Sequence, residues 1–139
     1  MEFIRRNSDY ALRALGRLSA FPMGKRLTVK EMASREDVPA LFLRKIFQRL
    51  SSAGIVASRK GPDGGFYLVR DAGSIALRDV LEAVQGRVSI SDCILNRDSC
   101  IRAKRCPIRK TLSGVERRFF KLLDKYTLKD FCADNGSIG

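Results

Sequence analysis

The sequence predicts a mainly α fold with one small β-hairpin: a winged helix-turn-helix followed by a long C-terminal helix. Three observations carry this. Apolar residues recur at helical spacing in short segments before Gly54, the pattern turns strand-like on either side of a glycine-rich pentapeptide, and a heptad-like seam runs beyond Pro107. The length of 139 residues suits one domain with an appended segment, and 45% hydrophobic against 30% charged residues is a globular balance.

In the first segment Ala11, Leu15 and Leu18 recur at i, i+4 and i+7, with Leu12 and Ala14 widening the stripe. This predicts an amphipathic helix from Ser8 to Phe21 with Ser8 as its N-cap. Thr28-Val29-Lys30-Glu31 forms a capping box, in which Thr28 bonds the amide three residues on and Glu31 reaches back. A second helix should run to about Arg35. After a tight connection, Pro39 suits the first turn of a third helix, because its φ is fixed and its missing N–H costs nothing there. That helix carries Leu43, Ile46, Phe47 and Leu50 on one face and Arg44, Lys45, Gln48 and Arg49 on others, and stops before Gly54.

Ile55 to Ser58 and Phe66 to Val69 then read as strands joined by Gly61-Pro62-Asp63-Gly64-Gly65, a hairpin placed as a wing. A fourth helix, with Leu77, Val80, Leu81 and Val84 in register, ends at Gly86 and closes a first domain over 1–86. Residues 87–107 show no helical period and read as a loop. Beyond them Ile108, Leu112, Val115, Phe119, Leu122 and Tyr126 are spaced 4, 3, 4, 3, 4. One helix cannot bury such a seam alone, so 108–133 is expected to supply a dimerisation helix and a short C-terminal helix. The alternative is packing of the seam on its own subunit. A structural Cys132 and a flexible tail over 134–139 complete the chain.

With 27 Lys and Arg against 15 Asp and Glu, the net charge is +12 and the pI about 10.1, which points to a polyanionic partner. The chain has no histidine, so the commonest general base and zinc ligand are missing and an enzyme is not expected. No apolar run suits a membrane helix, and charges stand where a secretory signal has its apolar core; a soluble cytoplasmic protein is expected. Between Asp37 and Asp63 stand Arg44, Lys45, Arg49, Arg59 and Lys60 with no carboxylate. The third helix can present Arg44, Lys45 and Gln48 to base edges of double-stranded DNA, with Arg59 and Lys60 near phosphates or the minor groove, and Arg49 completes the expected DNA-binding set.

Four cysteines in such a chain do not suggest a disulfide framework. Cys93, Cys100 and Cys106 have neither zinc-ribbon nor ferredoxin spacing. Three thiolates among Arg97, Arg102, Lys104 and Arg105 can wrap an iron–sulfur cluster, or remain buried or redox-active; spacing leaves both open.

Four segments add a resemblance: Ser8 to Leu15, the wing stretch Val56 to Leu68, the three spaced cysteines, and Tyr126-Thr127-Leu128-Lys129-Asp130. Together they resemble the IscR/NsrR family of bacterial winged-helix regulators, from about residue 3 to residue 132. The resemblance implies a homodimeric transcription factor, usually a repressor, whose [4Fe-4S] or [2Fe-2S] cluster reports iron–sulfur supply, nitric oxide or redox state. It places the cluster thiolates on Cys93, Cys100 and Cys106. Arg109 stands where IscR-like members have a ligand histidine, and Asp9 stands where NsrR-like members donate an aspartate from the partner subunit. A cluster-free, thiol-based redox-sensing regulator is the main alternative. For an iron–sulfur electron-transfer protein the basic reading face would have no purpose.

Overall fold

The computed structural model describes residues 3–131, apart from 97 and 99. Its elements in chain order are α1 (Arg6–Ser19), α2 (Val29–Glu36), α3 (Ala40–Ser52), β1 (Val56–Arg59), β2 (Gly65–Leu68), α4 (Leu77–Gln85), α5 (Asp92–Leu95) and α6 (Pro107–Leu123), with 3₁₀ turns at Ala72–Ser74 and Leu128–Phe131. No helix among the described residues is long and apolar enough to cross a membrane.

α1 starts two residues before Ser8, with Arg5 as N-cap. Ser8 is fully buried inside the first turn, and its hydroxyl donates to Gln85 Oε1 at 2.6 Å. The same oxygen accepts from the Arg5 amide at 3.2 Å, while Gln85 Nε2 donates to the Phe3 carbonyl at 2.8 Å. A tertiary partner thus takes the hydroxyl that sequence reasoning assigned to a local cap. The capping box of α2 forms as expected: Glu31 N donates to Thr28 Oγ1, and Thr28 N to Glu31 Oε2, both at 3.0 Å. α2 ends at Asp37 in the left-handed region (φ 53°). Pro39 is the N-cap of α3 rather than part of its first turn.

The strands pair antiparallel from Val56↔Leu68 to Arg59↔Gly65, about one residue from the expected spans. Their placement is set on both sides. Ile55 N is held by the Leu50 carbonyl at the end of α3, and Leu27 exchanges two backbone hydrogen bonds with Phe66, at 2.8 and 3.0 Å. Gly65 sits at φ 140°, and a Cβ there would lie 2.7 Å from the Leu27 carbonyl, so the wing root needs glycine.

Leu15, Met32, Leu43, Phe47, Leu50, Ile55, Val80 and Leu128 lie in the main core, all at 0–1% exposure. Burying large apolar side chains of this kind contributes roughly 1.5–3 kcal/mol each. A second, smaller cluster of Leu77, Leu81, Val88 and Phe120 joins α4 to α6. Beside it the Arg78 guanidinium lies 4.1 Å from the centroid of the Phe120 ring and is hydrogen-bonded to Glu82 at 3.2 Å and Asp124 at 3.4 Å. Burial works against the Arg78 charge, but these two carboxylates outweigh it and its pKa is raised.

Two expectations for the C-terminal part change. The stretch read as a loop contains α5, whose four residues are too short to show a period. α6 ends at Leu123, so Tyr126 lies beyond the helix, where its carbonyl accepts from the Leu77 amide at 3.0 Å. The chain then folds back, and Leu128 enters the main core. The expectations for Cys132 and for 134–139 fall outside the described residues.

Candidate nucleic-acid interface and cysteine loop

Burial of Leu43, Ile46, Phe47 and Leu50 fixes the rotation of α3 and turns Arg44, Lys45 and Gln48 to solvent. Arg59 and Lys60 are exposed at the tip of β1, and the wing is held to α3 by the edge contact of Phe47 and Phe66, with ring centroids 5.0 Å apart. The structure thus leaves five of the six expected reading residues free on α3 and the wing. Arg49 differs: although exposed, its Nη1 donates to the Val84 carbonyl at 2.6 Å. It ties α3 to the end of α4. Sequence reasoning missed Leu41 and Phe42, exposed by 66% and 51% at the start of α3. The available signal was that Leu43 already serves the core stripe, leaving these two without a buried partner.

Cys93 is half-buried on α5 with its Sγ 3.0 Å from Ser91 Oγ, Cys100 is exposed, and Cys106 is half-buried as the N-cap of α6. All three are free thiols. Between residues 87 and 110 the sequence holds seven Lys and Arg against two Asp, so the thiols stand in a cationic stretch. As a donor set, three thiols in a cationic loop fit an iron–sulfur cluster in kind. Among the described residues, however, no three Cys, Asp or Glu side chains come together closely enough to hold a metal ion.

The loop is braced on α6, another feature the sequence reading missed. Arg109 donates to the Cys93 and Ala103 carbonyls, and Glu116 Oε2 accepts from Ser89 Oγ at 2.6 Å and from the Ile90 amide at 2.9 Å. Asp9 is half-exposed in the first turn of α1, where it pairs with Arg13 at 3.1 Å and favours the helix dipole.

Along α6, Ile108, Val115 and Leu122 are exposed by 66%, 50% and 54%, while Leu112 and Phe119 are half-buried. Phe119 is covered on one side by Phe3, at 5.1 Å between ring centroids. Among the described residues, Ile108, Val115 and Leu122 are left largely uncovered.

The family model named Rrf2, described as an iron-dependent transcriptional regulator, matches residues 4–134. Among solved structures the chain is similar to CymR (YrzC), the global cysteine regulator of B. subtilis, at 23% identity and a TM-score of 0.73, covering 95% of this chain and 97% of that one. It is similar to the oxidized form of Staphylococcus aureus CymR at 22% identity and a TM-score of 0.72, covering 99% and 100%. It is also similar to T. potens IscR at 20% identity and a TM-score of 0.71, covering 91% of this chain and 83% of that one. These likenesses bear out the winged-helix fold expected from the sequence.

Proposed function

This chain belongs to the Rrf2 family of transcriptional regulators, and from that premise we propose that it is a cytoplasmic, homodimeric repressor whose binding to double-stranded operator DNA is controlled by an iron–sulfur cluster. Residues 1–86 read DNA, 87–107 hold the cluster, 108–133 form the dimer, and 134–139 are a tail. The observation that carries this reading is the brace on α6: the helix with the uncovered apolar strip is the one whose Arg109 and Glu116 hold the cysteine loop.

Cys93, Cys100 and Cys106 would supply thiolates, and Asp9 of the partner subunit a carboxylate. When bound, the group supplies iron that reacts with nitric oxide and changes charge on oxidation. Arg109 and Glu116 fix both flanks of the loop to α6. α4 packs on both α3 and α6, so a shift of α6 reaches the reading helix through the Leu77–Leu81–Phe120 cluster and the Arg49–Val84 hydrogen bond. Arg44, Lys45 and Gln48 read base edges, Arg59 and Lys60 meet the backbone or minor groove, and Arg49 positions α3.

A second reading, a cluster-free thiol-based sensor, is favoured by the Ser91–Cys93 contact and by the ungathered thiols. One anaerobic preparation separates the two. Iron and sulfide counts with visible absorption, followed by gel shifts on promoter DNA before and after iron removal, should show a cluster and a change in affinity. A colourless, iron-free protein whose DNA binding responds to peroxide and dithiothreitol would establish the second reading instead.

A further inference from the structure

Positive charge is not confined to the reading face. Residues 87–139 hold 12 Lys and Arg against six Asp and Glu. Part of this excess surrounds a cavity of about 640 Å³ between α4, the start of the cysteine loop and the side of α6. Arg87, Arg117, Arg118 and Lys121 stand at its rim, all exposed, and Val88 and Phe120 form a buried apolar floor.

The carboxylates in the cavity wall are already engaged. Glu116 accepts from Ser89 and Ile90, and Asp124 is paired with Arg78, which also pairs with Glu82. Among the described residues, none of the four rim cations takes part in an ion pair. Four uncompensated like charges around one concavity repel each other and focus a positive field into it. An anion bound there relieves that repulsion. Guanidinium groups match phosphate oxygens bidentately, and the cavity falls within the roughly 300–1,000 Å³ of small-molecule sites. The Phe120 ring is buried beneath Arg78, so the site offers no free aromatic face to a nucleobase. A duplex is a convex rod and does not enter such a cleft.

We propose that the cleft between α4 and α6 is a binding site for a small, multiply charged phosphate compound carrying a diphosphate or triphosphate group, held by Arg87, Arg117, Arg118 and Lys121. Because Arg87 and Val88 lead into the cysteine loop and α6 carries the Glu116 brace, the bound anion fastens the start of that loop to α6. This site stands whether or not the loop holds a cluster.

Calorimetric titration of the protein with sodium triphosphate at physiological salt tests it, with ATP as a second titrant. The expected result is saturable binding of one triphosphate per chain and a raised melting temperature. Arg117→Gln/Lys121→Gln should weaken binding at least tenfold, with the melting temperature of the ligand-free protein unchanged, while Arg59→Gln in the wing leaves it intact. Equal affinity for triphosphate and ATP identifies the phosphate group alone as the ligand, and tighter ATP binding identifies a nucleotide. No saturable heat overturns the site, as does equal weakening by Arg59→Gln. A double variant that binds triphosphate normally but loses operator affinity and salt dependence would make the cleft a DNA-backbone surface instead.

Discussion

Arg109 Nε donates to the backbone carbonyl of Cys93 at 3.1 Å, while its Nη1 donates to that of Ala103 at 3.3 Å. One side chain in the first turn of α6 therefore holds two points of the cysteine loop ten residues apart. A guanidinium has no lone pair to give a metal, so at this position the chain has a brace. Arg109→Ala should speed amide hydrogen exchange across 93–103 and lower stability by about 1 kcal/mol, the usual net value of such hydrogen bonds. Unchanged exchange in that segment would show that the loop is held by something else.

Arg59→Ala should weaken DNA binding at every sequence and reduce the slope of log K against log salt by about one, as loss of a single phosphate contact does. Lys45→Ala should instead change the preference among operators. A salt titration of both variants on matched and mismatched sites distinguishes the roles; an Arg59 variant with wild-type affinity and slope would remove that residue from the interface.

Val115 is half-exposed in the single chain, whereas Phe119 also packs on Phe3. Val115→Asp is therefore the cleaner probe of the seam: a folded monomer tolerates it, and a dimer buries an unpaired charge at a cost of several kcal/mol. Light scattering should show monomer, with operator binding lost and the circular dichroism spectrum retained. The double variant Val115→Asp/Phe119→Asp should also disturb the Phe3 contact and melt at a lower temperature. A Val115→Asp protein that stays dimeric would place the interface elsewhere.

Serine at Cys93, Cys100 or Cys106 should each abolish reconstitution of a cluster, and Cys132→Ser should not. Asp9→Ala removes an exposed ion pair with Arg13 worth at most about 1 kcal/mol, so stability should hardly change. Its visible spectrum and its response to nitric oxide should. A spectrum and response identical to wild type would reduce Asp9 to an acid in the first turn of α1.

What the sequence made legible were features with a local or periodic cause: the Thr28–Glu31 box, the buried stripe of α3, the glycine turn of the wing and the apolar seam of α6. What escaped it has partners far along the chain. Ser8 looked like a cap because nothing nearby shows that Gln85 will claim its hydroxyl. Nothing near Arg49 shows that it will donate to the Val84 carbonyl, 35 positions away. Tyr126 continued the heptad spacing past the point where α6 ends, because the pull of the Leu77 amide on its carbonyl has no trace in the pattern. In the cysteine loop the positions of the thiols were readable, but the braces from Arg109 and Glu116 were not, since an arginine and a glutamate on a charged helix look like solvated surface.

Gly16 lies in the middle of α1, and a Cβ there would stand 2.5 Å from the Phe131 carbonyl. α1 is thus seated against the Leu128–Phe131 turn, far along the chain from it, with Leu128 completing the same core. During synthesis α1 must wait, half-clothed, until residues 128–131 have emerged from the exit tunnel. A nascent or prematurely terminated chain lacking 128–131 exposes the apolar side of α1, which makes such fragments targets for chaperones and proteases. Until 128–131 have joined it the core stays open along α1, so its closure reports that this stretch has been made and folded back.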